Sequence, residues 1–195
     1  MSFARSGALL VLLIGSASMA KPARAQEQSL EIDGSASSAR FFVNMRIRMK
    51  AEGILSRVSG KLRGSVAQGW QVSVKVDGRS LHFDGARWMD RITRSHSFLS
   101  VDRFPVIRFE SGQFTDQVLR DGGEVRGELT LRGLTQAVSF RLLPSACARI
   151  GRDCDIQVQG TVSRHAFGMN AHRALVRDDV DLHMRVRLLH DIAAP

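Results

Sequence analysis

The common signatures of metal, nucleotide and acyl chemistry are missing from this 195-residue sequence. Its two cysteines are spaced Cys-x6-Cys with no histidine beside them, which is not zinc-finger spacing, and no C-x-x-C redox pair occurs. The six histidines, His82, His96, His165, His172, His183 and His190, form neither H-E-x-x-H nor a close His/Asp cluster. There is no G-x-S-x-G elbow for a serine nucleophile. One echo of a phosphate loop, Gly53 to Gly60-Lys61, is a residue too long and has Leu62 where a hydroxyl is required. These absences argue against an enzyme and call for no cofactor. Long apolar runs are lacking too. The run from Ala8 to Ile14 falls well short of the roughly 20 residues that a membrane span needs.

That short run sits instead in a leader pattern: Arg5 precedes it, small residues follow, and Ala23-Arg24-Ala25 makes an A-x-A cleavage signal. The expectation is a signal peptide over residues 1–25, cleaved after Ala25 or, as second choice, Ala20, followed by a single domain over 26–195. No cysteine follows the run to carry a lipid anchor. The formal charge is +9, and losing Arg5, Lys21 and Arg24 with no acid brings it to +6. A basic balance fits nucleic acid, an anionic membrane or an acidic ligand. Export makes nucleic acid the poorest of these, and the arginines are spread over alternate strand positions with no block among them. Cys147 and Cys154 flank a glycine-containing turn, and in an oxidising compartment they read as a disulfide across a hairpin end.

Period-2 alternation recurs through the rest of the chain, as expected of strands with one buried face. The stretch Arg40 to Lys50 puts Phe41, Val43, Met45, Ile47 and Met49 on one face. Trp70, Val72, Val74 and Val76 repeat the pattern, as do Ile107 and Phe109, Val125, Leu129 and Leu131, Val138, Phe140 and Leu142, Ile156, Val158 and Val162, and Val180 to Leu188. A weaker, glycine-punctuated strand around residues 56–65 brings the count to about eight. Asp77-Gly78, Asp121-Gly122-Gly123, Arg132-Gly133 and Gly151 supply the turns. Short connections and no βαβ pattern predict an all-β, eight-stranded antiparallel barrel, because closure removes exposed edges. Only residues 85–104 break the alternation, and they have room for one or two short helices. An eight-stranded barrel either fills itself or holds one small ligand.

In order and spacing, four segments resemble the YceI family of bacterial periplasmic proteins: residues 96–111 with Phe98, Asp102, Phe104-Pro105 and Phe109; the hairpin of Gly127 to Thr130 with Gly133-Leu134-Thr135; Arg164, Phe167 and Gly168; and Val176 to Val180. Ala166 stands where that family's late motif usually has Asp. The resemblance implies an extended, lipocalin-like barrel whose apolar cavity binds a polyisoprenoid or quinone-like amphiphile, with no catalytic residues and a periplasmic location. Strand parity then nominates Phe41, Val43, Met45, Trp70, Val72, Val74, Phe98, Ile107, Phe109, Leu129, Leu131, Phe140 and Met184 as the lining. Phe98 and Leu99 with Phe104 and Pro105 are expected to form a corner that lines the channel or closes one end. Two rival readings remain at this point. One is a lipid-modifying enzyme using His82 or His96 at the mouth. The other is a basic module docking on a membrane or on a membrane redox partner. On any of these readings an isologous homodimer would be an ordinary arrangement.

Overall fold

A computed structural model describes residues 27–46 and 49–189. The leader, its two cleavage positions and Ile47 lie outside the described residues. Among the described residues eleven strands, three more than the alternation predicts, make one antiparallel sheet curled into a half-barrel. They are β1 (Gln28–Glu31), β2 (Ser38–Met45), β3 (Lys50–Leu55), β4 (Val58–Ser65), β5 (Gly69–Asp77), β6 (Leu81–His82), β7 (Val106–Ser111), β8 (Gly123–Leu131), β9 (Leu134–Leu142), β10 (Ile156–Ser163) and β11 (Val176–Val186). Their order across the sheet is β1-β4-β5-β7-β8-β9-β10-β11-β2-β3-β6. Beyond β1 the chain returns to the end of β11, where Ile32 bridges Leu188 and Leu189 N–H donates to the Glu31 carbonyl at 2.8 Å.

The extra strands are short or disguised. Alternation continues unbroken from Arg40 to Lys50 and so reads as one strand. The chain instead leaves β2 at Met45, whose N–H donates to the Met49 carbonyl at 2.8 Å, and β3 returns beside β2 with Phe41 opposite Gly53. That glycine is needed for space. A Cβ on Gly53 would lie 2.2 Å from the Phe41 ring, and one on Gly160 would lie 2.3 Å from the ring of Phe140. Both rings therefore lie flat along the wall over a neighbouring strand that has no side chain there.

Two helices occur where the sheet is interrupted. Helix α1 (Arg87–Arg94) falls inside the irregular stretch and is tied to β6: Asp90 accepts from Phe83 N–H at 2.7 Å and Arg94 donates to the Leu81 carbonyl. Helix α2 (Asp116–Asp121) is not foreseen by the alternation. Its signals are Thr115, whose hydroxyl accepts from Val118 N–H, and Gly122 at φ 80° past its end.

Cys147 and Cys154 are bonded in the β9–β10 connection, with Cα atoms 6.2 Å apart. The closed loop packs Gly151 against Leu188, and Leu188 N–H donates to the Gly151 carbonyl at 2.7 Å. Closing a loop of about 8 residues contributes roughly 2.5 kcal/mol in the chain-entropy model. Reduction, or Cys147→Ala with Cys154→Ala, is therefore expected to lower the thermal midpoint by about 5–10 °C without altering the cavity, as calorimetry with and without reductant would read.

Candidate functional site

The inward faces of the strands enclose one elongated cavity of about 200 Å³. Phe41, Val43, Val72, Val74, Phe98, Ile107, Phe109, Leu129, Leu131, Phe140 and Met184 all line it, together with Leu99, Met169, Val180 and Leu182. Phe109 and Phe140 meet edge to face at 5.0 Å between centroids. Among the described residues, those with polar side chains that line it are Ser38, Thr93 and Arg164.

Two nominated residues do not line the cavity. Trp70 shares the inward face of β5, but its indole N–H donates to Asp116 Oδ1 at 2.9 Å, fastening β5 to α2, while Phe114 and Leu119 line the cavity at that end. Strand parity identifies a face but does not say where along it the void stops. Met45 is displaced by a bulge: the β2–β11 pairing jumps from Val43–Val180 to Met45–Val176. Met45 then borders a shallow surface depression with Asn44, Arg46, Met49, Lys50 and Arg177. Met49, read as inward, is 59% exposed.

The end opposite Trp70 is closed by two loops. From the α1–β7 connection, Phe98 reaches the cavity and stacks on the His172 ring, 5.9 Å between centroids and 9° from parallel. Phe104 packs outside, over Gly133, and the Pro105 carbonyl accepts from Gly78 N–H at 2.8 Å. The expected corner is thus split, with Phe98 and Leu99 on the cavity and Phe104 and Pro105 behind them. Arg132 bonds both loops: its guanidinium donates to the Gly168 carbonyl at 2.7 Å and to the His96 carbonyl at 3.1 Å. It stands in the two-residue β8–β9 turn at φ 54°, followed by Gly133 at φ 74°. An arginine at a position that favours glycine or asparagine was the available sequence signal for this role.

Arg164 organises the second loop. It is 2% exposed, and its guanidinium donates to the carbonyls of Met169, Ala171, Val176 and Arg177 at 2.6 to 3.1 Å. Burial pushes its pKa down while the charge of Asp178 pulls it up, the first effect being larger. Phe167, fully buried, and Gly168, at φ 71°, complete the turn. The Arg-x-x-Phe-Gly pattern is accordingly a structural device that holds one end of the cavity shut.

Among the carboxylates held below their ordinary range are Asp155 and Asp178. Burial pushes Asp155 up, but hydrogen bonds from Arg185 and Arg187, each through Nε at 2.8 Å, outweigh it. At Asp178 burial is likewise outweighed, by bonds from the Ser163 hydroxyl at 2.7 Å and His165 N–H at 2.9 Å and by nearby positive charge. A carboxyl depressed in the fold adds stability above its unfolded pKa and loses it as pH falls through the folded value. The thermal midpoint is therefore expected to hold between about pH 7 and 5 and to drop below about pH 4. Asp155→Asn should lower the midpoint at neutral pH and flatten the acid limb.

Neither His82 nor His96 lines the cavity. His82 Nδ1 lies 3.3 Å from the Ser80 carbonyl, and His96 is exposed beside Ser97. His183 is exposed on the outer face against the Phe42 ring. Among the described residues no three His, Cys, Asp or Glu side chains gather to hold a metal, and no helix is long and apolar enough to cross a membrane.

A family model for the YceI-like domain matches residues 30–188. No curated protein matches the sequence. Several solved structures share the fold. Burkholderia cenocepacia BcnA superposes with a TM-score of 0.66 at 15% identity, covering 80% of this chain and 98% of that one. A polyisoprenoid binding domain from Saccharophagus degradans, implicated in plant cell wall breakdown, gives 0.61 at 13% identity, with 80% and 95% covered. The Campylobacter jejuni YCEI protein gives 0.57 at 14% identity, with 71% and 85% covered.

Proposed function

Because the chain belongs to the YceI-like domain family, we propose that it is a periplasmic carrier that sequesters the tail of an isoprenoid amphiphile, quinone-like or polyprenyl, inside the half-barrel. The observation that carries this reading is the lining: a continuous apolar cavity in which the one charged group, Arg164, spends its donors on backbone carbonyls. No free charge is left inside to recognise a charged head, and the polar side chains that remain are the hydroxyls of Ser38 and Thr93. The ligand class this favours enters tail first and leaves its head at an end. A volume of about 200 Å³ lies below the roughly 300–1,000 Å³ of ordinary small-molecule sites, so a thin, flexible chain suits it better than a fused-ring body. Met169 and Met184 in the wall adapt to irregular apolar shapes. The polyisoprenoid binding of the Saccharophagus domain supports the ligand class, and the leader at residues 1–25 supports export. The position of His82 and His96 away from the cavity favours carriage over lipid chemistry.

Native mass spectrometry of protein taken from its own periplasm without detergent, followed by organic extraction, tests the reading. A stoichiometric long-chain isoprenoid is expected. An apo mass that stays unchanged after incubation with quinones and polyprenyl lipids would overturn it.

A further inference from the structure

At the Phe98 end of the molecule, apolar side chains stand in water beside unpaired cations. Met49 and Leu175 are 59% and 54% exposed, and they are neighbours: Arg46 N–H donates to the Leu175 carbonyl at 2.8 Å, and Met45 N–H to that of Met49. Arg46 and Arg173 lie in the same place, Arg46 Nε donating to the Arg173 carbonyl, and neither pairs with a carboxylate among the described residues. Helix α1 leads into the segment that carries Phe98; it turns Thr93 into the cavity and leaves Trp88, 57% exposed, and Ile92, one helical turn on, facing solvent. A protein that only shields a lipid has no need of such a rim.

We propose that this end of the half-barrel docks on an anionic lipid bilayer, with Trp88, Ile92, Met49 and Leu175 entering the headgroup region and Arg46 and Arg173 meeting its negative charge. The apolar groups come from separate elements around an end of the cavity and form no single groove, an arrangement that a deformable surface receives better than a folded partner. Tryptophan favours the membrane interface, and each arginine near an anionic surface adds attraction that salt screens. The net charge, +9 for the whole sequence and +6 without residues 1–25, has the matching sign. Docking there would set the bilayer against the two loops that close this end of the cavity, so that a tail passing when they part would not cross water. The purpose rests on the carrier reading; the surface itself does not.

The test is flotation of the purified protein with vesicles of phosphatidylcholine alone or with about one-third phosphatidylglycerol, at low and high salt, read together with native mass spectrometry. Binding to the anionic vesicles, weakened by salt and accompanied by a blue shift of Trp88 emission while buried Trp70 stays constant, is expected. Arg46→Ser with Arg173→Ser should cut binding by about tenfold or more, and Met49→Asp with Leu175→Asp should cut it further, with unchanged circular dichroism. Equal binding to both vesicle types regardless of salt, undiminished binding by the double arginine variant, or no binding at all overturns docking. If the protein in that last case still carries an extracted lipid, the carrier reading stands alone. Salt-sensitive docking by a protein that never holds lipid leaves the surface established and removes the carrier.

Discussion

Val74→Trp is expected to abolish retention of a bound lipid tail while moving the thermal midpoint of the empty protein by no more than about 5 °C. Val74 lies on β5 opposite Phe109 of β7 and above Gly60 of β4, and it is half-buried only because the cavity is its remaining neighbour. An indole at this position extends into empty space. Overpacking a filled core costs about 1–3 kcal/mol, but here the added ring covers apolar wall that is otherwise uncovered, at about 25 cal/mol per Å², so the two effects offset. The ligand has no second place to go: a ring across a cavity of about 200 Å³ excludes a chain. Wild-type protein loaded at 100 times Kd should be stabilised by about 2.7 kcal/mol, and the variant should lose that increment entirely. Val66→Trp, on an exposed turn, controls for the substitution itself. Full lipid occupancy in Val74→Trp would show that the tail binds outside the barrel.

The sheet was readable because a half-barrel with one buried face writes its geometry as alternation: Val72-Val74-Val76 and Leu129-Leu131 face inward as their parity demands. Alternation fails where the chain turns without breaking it. Between Met45 and Lys50 the period continues in sequence although β2 and β3 run antiparallel, so the pattern hides β3 and puts Met49 on the wrong side. It fails again at the β2–β11 bulge, which no side-chain pattern marks and which moves Met45 outward. Trp70 shows a different limit. Its face was legible, but its partner Asp116 lies on a helix that the alternation did not reveal, and that contact takes the indole away from the void. The closing loops were the least legible part. Arg132 acts on carbonyls 36 residues away and Arg164 on carbonyls of its own loop, and a carbonyl carries no residue identity for a sequence to display.

Arg164→Met should lower stability by about 3–5 kcal/mol and the thermal midpoint by about 10 °C or more. A buried ion pair can often be exchanged for apolar side chains at little cost, because both charges leave together. Arg164 is a different case, since its principal acceptors are four carbonyls of the backbone, which no side-chain change removes. Methionine would keep much of the volume and leave those groups buried without donors, at about 1–3 kcal/mol each where water cannot reach. Relaxation of the loop is the alternative available to the protein, and it makes a second prediction. Amide exchange should rise across residues 165–176, including Met169, whose N–H bonds the Arg164 carbonyl at 3.1 Å, while β7 to β9 keep their protection. Arg164→Lys should fall between the two proteins, because an ammonium keeps the charge but cannot reproduce the planar fork. A midpoint within about 2 °C of wild type for Arg164→Met would mean that the loop is held by Phe167 and Arg132 alone. Loosened exchange with lipid retained would separate the two jobs of this loop, since the cavity wall would then bind its ligand without a firmly closed end.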